Sequence, residues 1–111
     1  MQNKKYLQML GLARRAGKLA MGHDMAMKSL KSRKAKLIIF ASDISPRLIE
    51  EFDRASESHC PNLVSCKVEE TIDEIHMDLG YRAGVIAVDD TNFANRIIEL
   101  LNQEENAYGN K

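Results

Sequence analysis

The segment that most constrains the fold is the run from Lys36 to Ala41, which reads KLIIFA. After the lysine its residues are continuously apolar and do not alternate with polar ones. A strand of this kind is buried on both faces, and such strands occur in sheets that helices cover on both sides. The run therefore predicts an α/β fold.

Helix and strand signals alternate along the rest of the chain. Helices are predicted near residues 6–16, 22–32, from 45 onward, at 71–80 and after 90, and short strands at 19–21, 36–41, 63–66 and 84–88. Ser45-Pro46 and the Thr71-x-x-Glu74 capping box mark two of the helix starts, and Gly17 is placed to end the first helix in a left-handed conformation. This order predicts a three-layer α/β/α sandwich around a mixed sheet of about four strands.

Length and composition predict one domain outside any membrane. The chain of 111 residues fits a single domain over residues 1–104, followed by a frayed tail at 105–111. No apolar run approaches the roughly 20 residues of a membrane helix, and no signal-peptide core follows Met1. Two cysteines without an export signal indicate a reducing compartment, so we expect a cytoplasmic protein.

The formal net charge is zero, but the charges are unevenly distributed along the chain. Residues 1–36 contain ten lysines and arginines against a single acid, Asp24, which gives a net charge of +9. Residues 37–111 carry the balancing charge of −9. Such a basic segment favours a polyanion partner, and nucleic acid is the expected one. The alternative is an ordinary solvated basic face.

The start of the second helix is the first candidate site. Backbone N–H groups left free at a helix start attract anions, and Gly22, without a Cβ, lets a phosphate chain approach closely. Asp24, Lys28 and Lys31 share one face of this helix, and His23 lies beside them. Further cations end the first two helices and are expected to contribute phosphate contacts: Arg15, Lys18, Arg33 and Lys34.

The segment from Leu79 to Gly84, before the last strand, is the second candidate site. It contains Tyr81 and Arg82, which suit base stacking and phosphate contact. The alternative is an ordinary helix cap followed by the entry to a strand. The three phenylalanines fall in core patterns, so an aromatic sheet surface for single strands is not expected. We therefore expect a helix start and loops to recognise a shaped RNA.

Patterns for catalysis or metal binding are weak. Asp43, Asp89 and Asp90 follow strands, where ligands gather in open α/β sheets, but aspartates at such places more often cap helices. His59, Cys60, Cys66 and His76 match no common zinc spacing, and Cys66 is expected in the core. Met21 and Met25 are interpreted as packing residues. We predict no enzyme activity, cofactor or metal.

Several segments together resemble a known family. They are LGLARRAGK at residues 10–18, Gly22, Lys28, KLIIFASD at residues 36–43 and VDDxxFA at residues 88–94. They resemble the bacterial YlxQ-like branch of the kink-turn-binding ribosomal protein family, which includes archaeal L-seven-Ae and eukaryotic L-thirty-e. The resemblance covers about residues 4–101, and it implies an α/β/α sandwich that binds RNA without catalysis.

The resemblance also implies which residues contact RNA. In the family, a Gly-x-Asn-Glu-x-x-Lys segment opens the second helix and meets sheared G·A pairs of a kinked duplex. Here Gly22 and Lys28 match that segment, whereas Asp24 replaces the Asn and Met25 replaces the Glu. Asp24 can accept a hydrogen bond from a guanine amino group but lacks the amide donor, and Met25 is no useful acceptor. The family's second contact region falls on residues 79–84.

These observations predict a monomeric RNA-binding protein that resembles ribosomal proteins. Its expected partner is a structured, kink-turn-like RNA, and the ribosome is a candidate site of action. The alternative is a protein–protein interaction module of the same fold, in which the acidic part of the chain is the docking surface.

Overall fold

A computed structural model describes the backbone of residues 4–109 and the side chains of residues 4–103. Five helices alternate with four strands, in the predicted order. The helices are α1 (Lys5–Arg15), α2 (His23–Lys31), α3 (Pro46–His59), α4 (Ile72–Leu79) and α5 (Thr91–Gly109). The strands are β1 (Leu19–Met21), β2 (Leu37–Phe40), β3 (Val64–Lys67) and β4 (Val85–Val88).

The four strands form one mixed sheet in the order β1-β4-β2-β3. Strand β4 runs antiparallel to both of its neighbours, β1 and β2, whereas β2 and β3 are parallel. The ends of β1 and β2 therefore lie beside the beginning of β4. We call this the Gly22 end of the sheet, and we call the opposite end, where β4 finishes, the Asp89 end.

Two hydrophobic cores lie on the two faces of the sheet, because its side chains alternate between them. One core joins the sheet to α1, α4 and α5 and includes Tyr6, Leu37 and Ile97. The other joins it to α2 and α3 and includes Leu30 and Phe52. All four residues of β2 are buried, as the continuously apolar run predicts. The α/β/α sandwich with a mixed four-stranded sheet is confirmed.

The local signals at the helix ends act as predicted. Ser45 Oγ accepts a hydrogen bond from the Leu48 N–H at the start of α3. Thr71 and Glu74 form a complete capping box at the start of α4. Gly17 and Gly80, which follow the ends of α1 and α4, have left-handed φ angles of +74° and +77°. Ser45 and Thr71 follow β2 and β3 at the Gly22 end of the sheet, whereas Gly17 precedes β1 at the Asp89 end.

Two expectations about burial differ from the structure. Cys66 packs against the core as expected but is only partly buried, because β3 is an edge strand whose other residues are exposed. Met25 is 55% exposed because α2 turns Ala26, Met27 and Leu30 toward the sheet instead.

Two further expectations concern membrane helices and the end of the chain. No helix within the described part of the chain has the length and apolar content needed to cross a membrane. The predicted frayed tail, residues 105–111, lies outside the residues whose side chains are described and stays a prediction.

Candidate nucleic-acid interface

Gly22 joins β1 to α2 and has a backbone conformation that requires glycine. Its φ of +94° and ψ of 165° lie in a region that is essentially closed to residues with a Cβ. Its N–H donates to the Val85 carbonyl over 2.9 Å, which ties the start of α2 to the beginning of β4. Apart from its two chain neighbours, no described residue has a heavy atom within 4 Å of the place where a Cβ would stand. The approach to the helix start is therefore open.

The first turn of α2 is exposed, and its histidine is held by two carboxylates. His23 Nδ1 lies 2.9 Å from Asp24 Oδ1, and Nε2 lies 3.1 Å from Glu51 Oε2 on α3. The His23 ring also packs edge-on against Phe52. Hydrogen bonds to Asp24 first and to Glu51 second raise the pKa of His23 above its ordinary value of 6.5. In its protonated form, His23 orients Asp24 and offsets its charge.

Two cations continue the same helix. Lys28 and Lys31 are both exposed, and neither forms an ion pair with any residue whose side chain is described. Lys28 lies about one turn from Asp24, and Lys31 lies nearly one turn further. The helix thus carries unpaired positive charge beyond its open start, which suits a phosphate chain that follows it.

The loop before β4 reaches the same end of the sheet. The Gly84 carbonyl accepts from the N–H of Ala41, the residue that follows β2. Tyr81 is 45% exposed, and the guanidinium carbon of Arg14 lies 5.8 Å from the centre of its ring. Arg14 also donates to the Leu79 carbonyl over 2.8 Å, so that α1 supports this loop. Arg82 is paired with Asp73 through one guanidinium nitrogen, Nη1, in an exposed ion pair, so its other N–H groups can still reach a phosphate.

The predicted cations divide between the two ends of the sheet. The start of α2 and the loop that contains Tyr81 and Arg82 belong to the Gly22 end. Lys18 belongs to the Asp89 end, because its carbonyl accepts from the Asp89 N–H over 2.8 Å. Arg33 and Lys34 follow the far end of α2, and Lys34 N–H donates to the Ser29 carbonyl. Arg15 is the last residue of α1 and is exposed.

The aspartates that follow strands do not converge. Asp43 follows β2 and Asp89 follows β4, and these antiparallel strands finish at opposite ends of the sheet. Asp43 accepts from the Ile72 N–H at the start of α4, and Asp90 accepts from the Phe93 N–H at the start of α5. Asp89 accepts from the Ser29 hydroxyl. Among the residues with described side chains, no group of histidines, cysteines and acids could hold a metal ion.

Sequence reasoning missed two residues that shape the interface. Glu51 holds His23 across 28 positions of the chain, and Arg14 supports Leu79 and Tyr81 across more than 60. Neither contact has a local signal, because helix periodicity shows which face is apolar but not which charged side chains meet between helices.

This geometry defines a class of small α/β/α sandwich proteins in which a glycine-capped helix start, followed by exposed lysines, lies at one end of a mixed sheet. The family described as ribosomal protein L7Ae/L30e/S12e/Gadd45 matches residues 4–85. The chain belongs to this family, as the resemblance predicted. The family description names ribosomal proteins, which agrees with the prediction that this protein is not an enzyme.

Individual relatives cover nearly the whole chain. RNA-binding protein YlxQ of Bacillus subtilis (strain 168) is 31% identical over 103 residues, which span 91% of this chain and 99% of that protein. RNA-binding protein YlxQ of Enterococcus faecium is 29% identical over 99 residues, which span 88% and 92%. These relatives confirm the predicted YlxQ-like branch.

Two solved structures share the fold. A protein of unknown function from Bacillus halodurans superposes with a TM-score of 0.81 at 24% identity, over 90% of this chain and 99% of that one. The Giardia lamblia 15.5kD RNA binding protein superposes with a TM-score of 0.70 at 16% identity, over 95% and 92%. At these identities the likeness concerns the fold alone.

Proposed function

We propose that this protein binds a structured, kink-turn-like RNA in the cytoplasm, as a monomer, and that it acts in association with the ribosome. The start of α2 approaches the bases, and the loop before β4 contacts the RNA from the side. Gly22, His23, Asp24, Met25 and Lys28 form the first contact region. Tyr81 and Arg82 form the second.

The observation that carries this proposal is the open, glycine-capped start of α2. Gly22 has no neighbour that would block an approaching backbone, and the next three side chains are exposed. Backbone hydrogen bonds tie both Gly22 and Gly84 to neighbouring strands at one end of the sheet. Two segments that are about 60 positions apart in the chain thus lie at the same end of the sheet, where one RNA can reach both. The RNA-binding names of the YlxQ relatives support the same ligand class.

The side chains at the helix start indicate how the RNA is read. The Asp24 side chain is almost fully exposed, and its carboxylate accepts hydrogen bonds from base amino groups. Met25 presents an apolar surface to a base but no acceptor. Lys28 supplies positive charge to a phosphate or to the acceptor edge of guanine. The site therefore depends on RNA shape and on one acceptor more than on a full set of base-edge contacts.

A binding assay with matched RNAs tests the proposal. The probe is a bulged RNA duplex with adjacent G·A pairs, and the control is the same duplex with Watson–Crick pairs in their place. We expect tighter binding to the bulged RNA, and we expect Lys28→Ala to weaken it by about 1–3 kcal/mol at fixed salt. Arg96→Ala, an exposed cation on α5, which packs on the opposite face of the sheet from α2, is the matched control and should bind like the wild type.

Two outcomes would contradict the proposal. Equal affinity for the two RNAs would reject recognition of a kinked shape. Unchanged affinity of the Lys28→Ala variant would reject the start of α2 as the site. Protein partners that remain bound to the tagged protein after nuclease treatment, with no RNA retained, would favour the protein-interaction alternative.

A further inference from the structure

We propose that the Asp89 end of the sheet carries a second, separate RNA-binding surface, which holds the backbone of a duplex that extends beyond the element bound at Gly22. We call it the distal patch, and it consists of four exposed cations: Lys18, Arg33, Lys34 and Lys36. The inference deepens the proposed function by naming a requirement for flanking duplex, and it rests on that function for the identity of the first contact.

Three backbone hydrogen bonds hold the distal patch together. The Asp89 N–H donates to the Lys18 carbonyl over 2.8 Å, and the Lys36 N–H donates to the Val88 carbonyl over 2.7 Å. Lys18 and Lys36 therefore lie on either side of the end of β4. The Lys34 N–H donates to the Ser29 carbonyl over 3.0 Å, which adds the cations that follow α2. Residues from three segments thus converge at one end of the sheet.

The four cations are unpaired, and the nearby acids are occupied. None of the four forms an ion pair within the part of the chain whose side chains are described. Asp89 accepts from the Ser29 hydroxyl, and Asp90 accepts from the N–H of Phe93 at the start of α5. Both acids are partly buried, whereas the cations extend into solvent. The patch therefore keeps a net positive charge.

Arg33 adds an observation that charge alone does not explain. Its φ of +66° makes it the one non-glycine residue with positive φ among the described residues. After a helix end, glycine adopts a positive φ without strain and asparagine adopts it with little strain, whereas most other L residues are strained there. A helix C-terminus attracts cations, but Lys31 already supplies one within the last turn. A strained arginine in an exposed cationic cluster points to a contact outside the chain.

The separation of the two surfaces sets the length of RNA required. Helix α2 has nine residues, so it spans about 14 Å from the Gly22 end toward the distal patch. A duplex that rises about 3.4 Å per base pair, the value for DNA, covers this distance in about four or five steps. An RNA with short flanking stems reaches only the start of α2, and one with longer stems reaches both surfaces.

The experiment compares two charge-matched double variants on two lengths of RNA. The patch variant is Lys34→Gln with Lys36→Gln, and the control variant is Arg54→Gln with Lys67→Gln, on α3 and β3. The bulged RNA is prepared with flanking stems of about three and about ten base pairs. On the long RNA we expect the patch variant to bind about tenfold more weakly than the control variant and to lower the log–log salt slope by about 2. On the short RNA the two variants should bind equally.

Other outcomes decide the inference independently of the proposed function. Equal affinity of the two double variants on the long RNA, or an equal loss on both lengths, would overturn it. A plain duplex of about ten base pairs, without a bulge, should also distinguish the two variants, because a backbone contact needs no base recognition. Failure of Lys28→Ala to weaken binding would reject the first site and leave this comparison intact.

Arg33→Gly, which relaxes the backbone, should weaken binding to the long RNA without lowering the melting temperature.

Discussion

At the scale of single residues, Gly22 combines a structural and a recognition requirement. A Cβ would meet no neighbour, but the φ and ψ angles are essentially restricted to glycine. We expect Gly22→Ala to lower the free energy of unfolding by about 1–3 kcal/mol. Urea unfolding measures this loss. Gly11→Ala, within α1, is the control, because its φ is ordinary and its Cβ would only touch Leu79 at 4.0 Å.

The same substitution should affect RNA binding separately. Measured well below the melting temperature, Gly22→Ala should weaken binding to the bulged RNA, because the new methyl group stands where the backbone approaches. Gly11→Ala should leave the affinity unchanged. Wild-type affinity in a folded Gly22→Ala protein would show that the RNA does not approach this residue closely.

His23 makes stability depend on pH. Hydrogen bonds to Asp24 and Glu51 raise the pKa of His23 in the folded state above 6.5. Its stabilising contribution is therefore fully present below about pH 6.5 and is lost as the pH rises through the raised pKa. We expect His23→Gln to lower the melting temperature at pH 6 by more than at pH 9. An equal loss at both pH values would refute this assignment.

Some residues of the candidate site could be predicted from the sequence alone, and others could not. Gly22, Asp24, Lys28 and Lys31 follow from local spacing on a helix whose start and inward face are visible in the sequence. The contact of Glu51 with His23 and the support of Tyr81 by Arg14 depend on how the helices pack. The hydrophobic periodicity of one sequence does not reveal that packing. The exposure of Met25 was predicted wrongly, because an apolar residue type does not reveal which face of a short helix it occupies.

At the scale of elements, a buried ion pair joins α1 to the segment that precedes α4. Lys4 Nζ lies 2.8 Å from Glu70 Oε2, and the buried Tyr6 hydroxyl donates to the other oxygen of this carboxylate. Burial raises the pKa of Glu70, but the hydrogen bonds from Lys4 and Tyr6 outweigh it, and the pKa falls below its ordinary value of 4.5. The carboxylate thus stabilises the fold in its charged form.

The lowered pKa of Glu70 predicts how its contribution to stability changes with pH. Its contribution is present above about pH 4.5 and is lost as the pH falls through the lowered pKa. We expect Glu70→Gln to cost about 2 kcal/mol of unfolding free energy at pH 7 and distinctly less at about pH 3. Denaturant unfolding at both pH values measures the difference. Glu69→Gln is the matched control, since Glu69 also contacts Lys4 but is exposed and should cost little.

The elements themselves were largely predictable, and their arrangement was less so. Caps such as Ser45 and Thr71 are local, and so the helix starts were found from sequence. The strand order and the reversed direction of β4 depend on contacts between distant segments. Asp43 and Asp89 lie at opposite ends of the sheet because β4 is reversed, and Asp43 and Asp90 cap helices, which is the role that the sequence favoured for them.

At the scale of the whole molecule, the charge is segregated in space as well as in sequence. Residues 1–36 supply α1, β1 and α2, so the basic segment covers the sheet edge formed by β1. The acids lie mainly on α3 and α4 and in the segment before α4. A neutral total with this distribution still presents a strongly positive side to a large polyanion.

This segregation predicts behaviour that the net charge alone would not. At pH 7.5, above the sequence pI of about 6.8, the protein should still be retained on a sulfonate cation exchanger at low salt. Lys34→Gln with Lys36→Gln should elute at lower salt than Arg54→Gln with Lys67→Gln, although both variants lose two positive charges. Co-elution of the two variants would show that the charge acts only as a total.

The short edge strands of the sheet bear on how the protein behaves at high concentration. An exposed strand edge is a template on which another chain can add a strand, and this is a route to aggregation. Strand β1 offers only three residues before Gly22 ends it, and β3 offers four, with the charged Lys67 at its end. Because β1 is so short, Gly22 and the start of α2 lie at the margin of the sheet. The short strands also leave little edge to which another chain could add a strand. Resistance to fibrillar association follows from the same geometry.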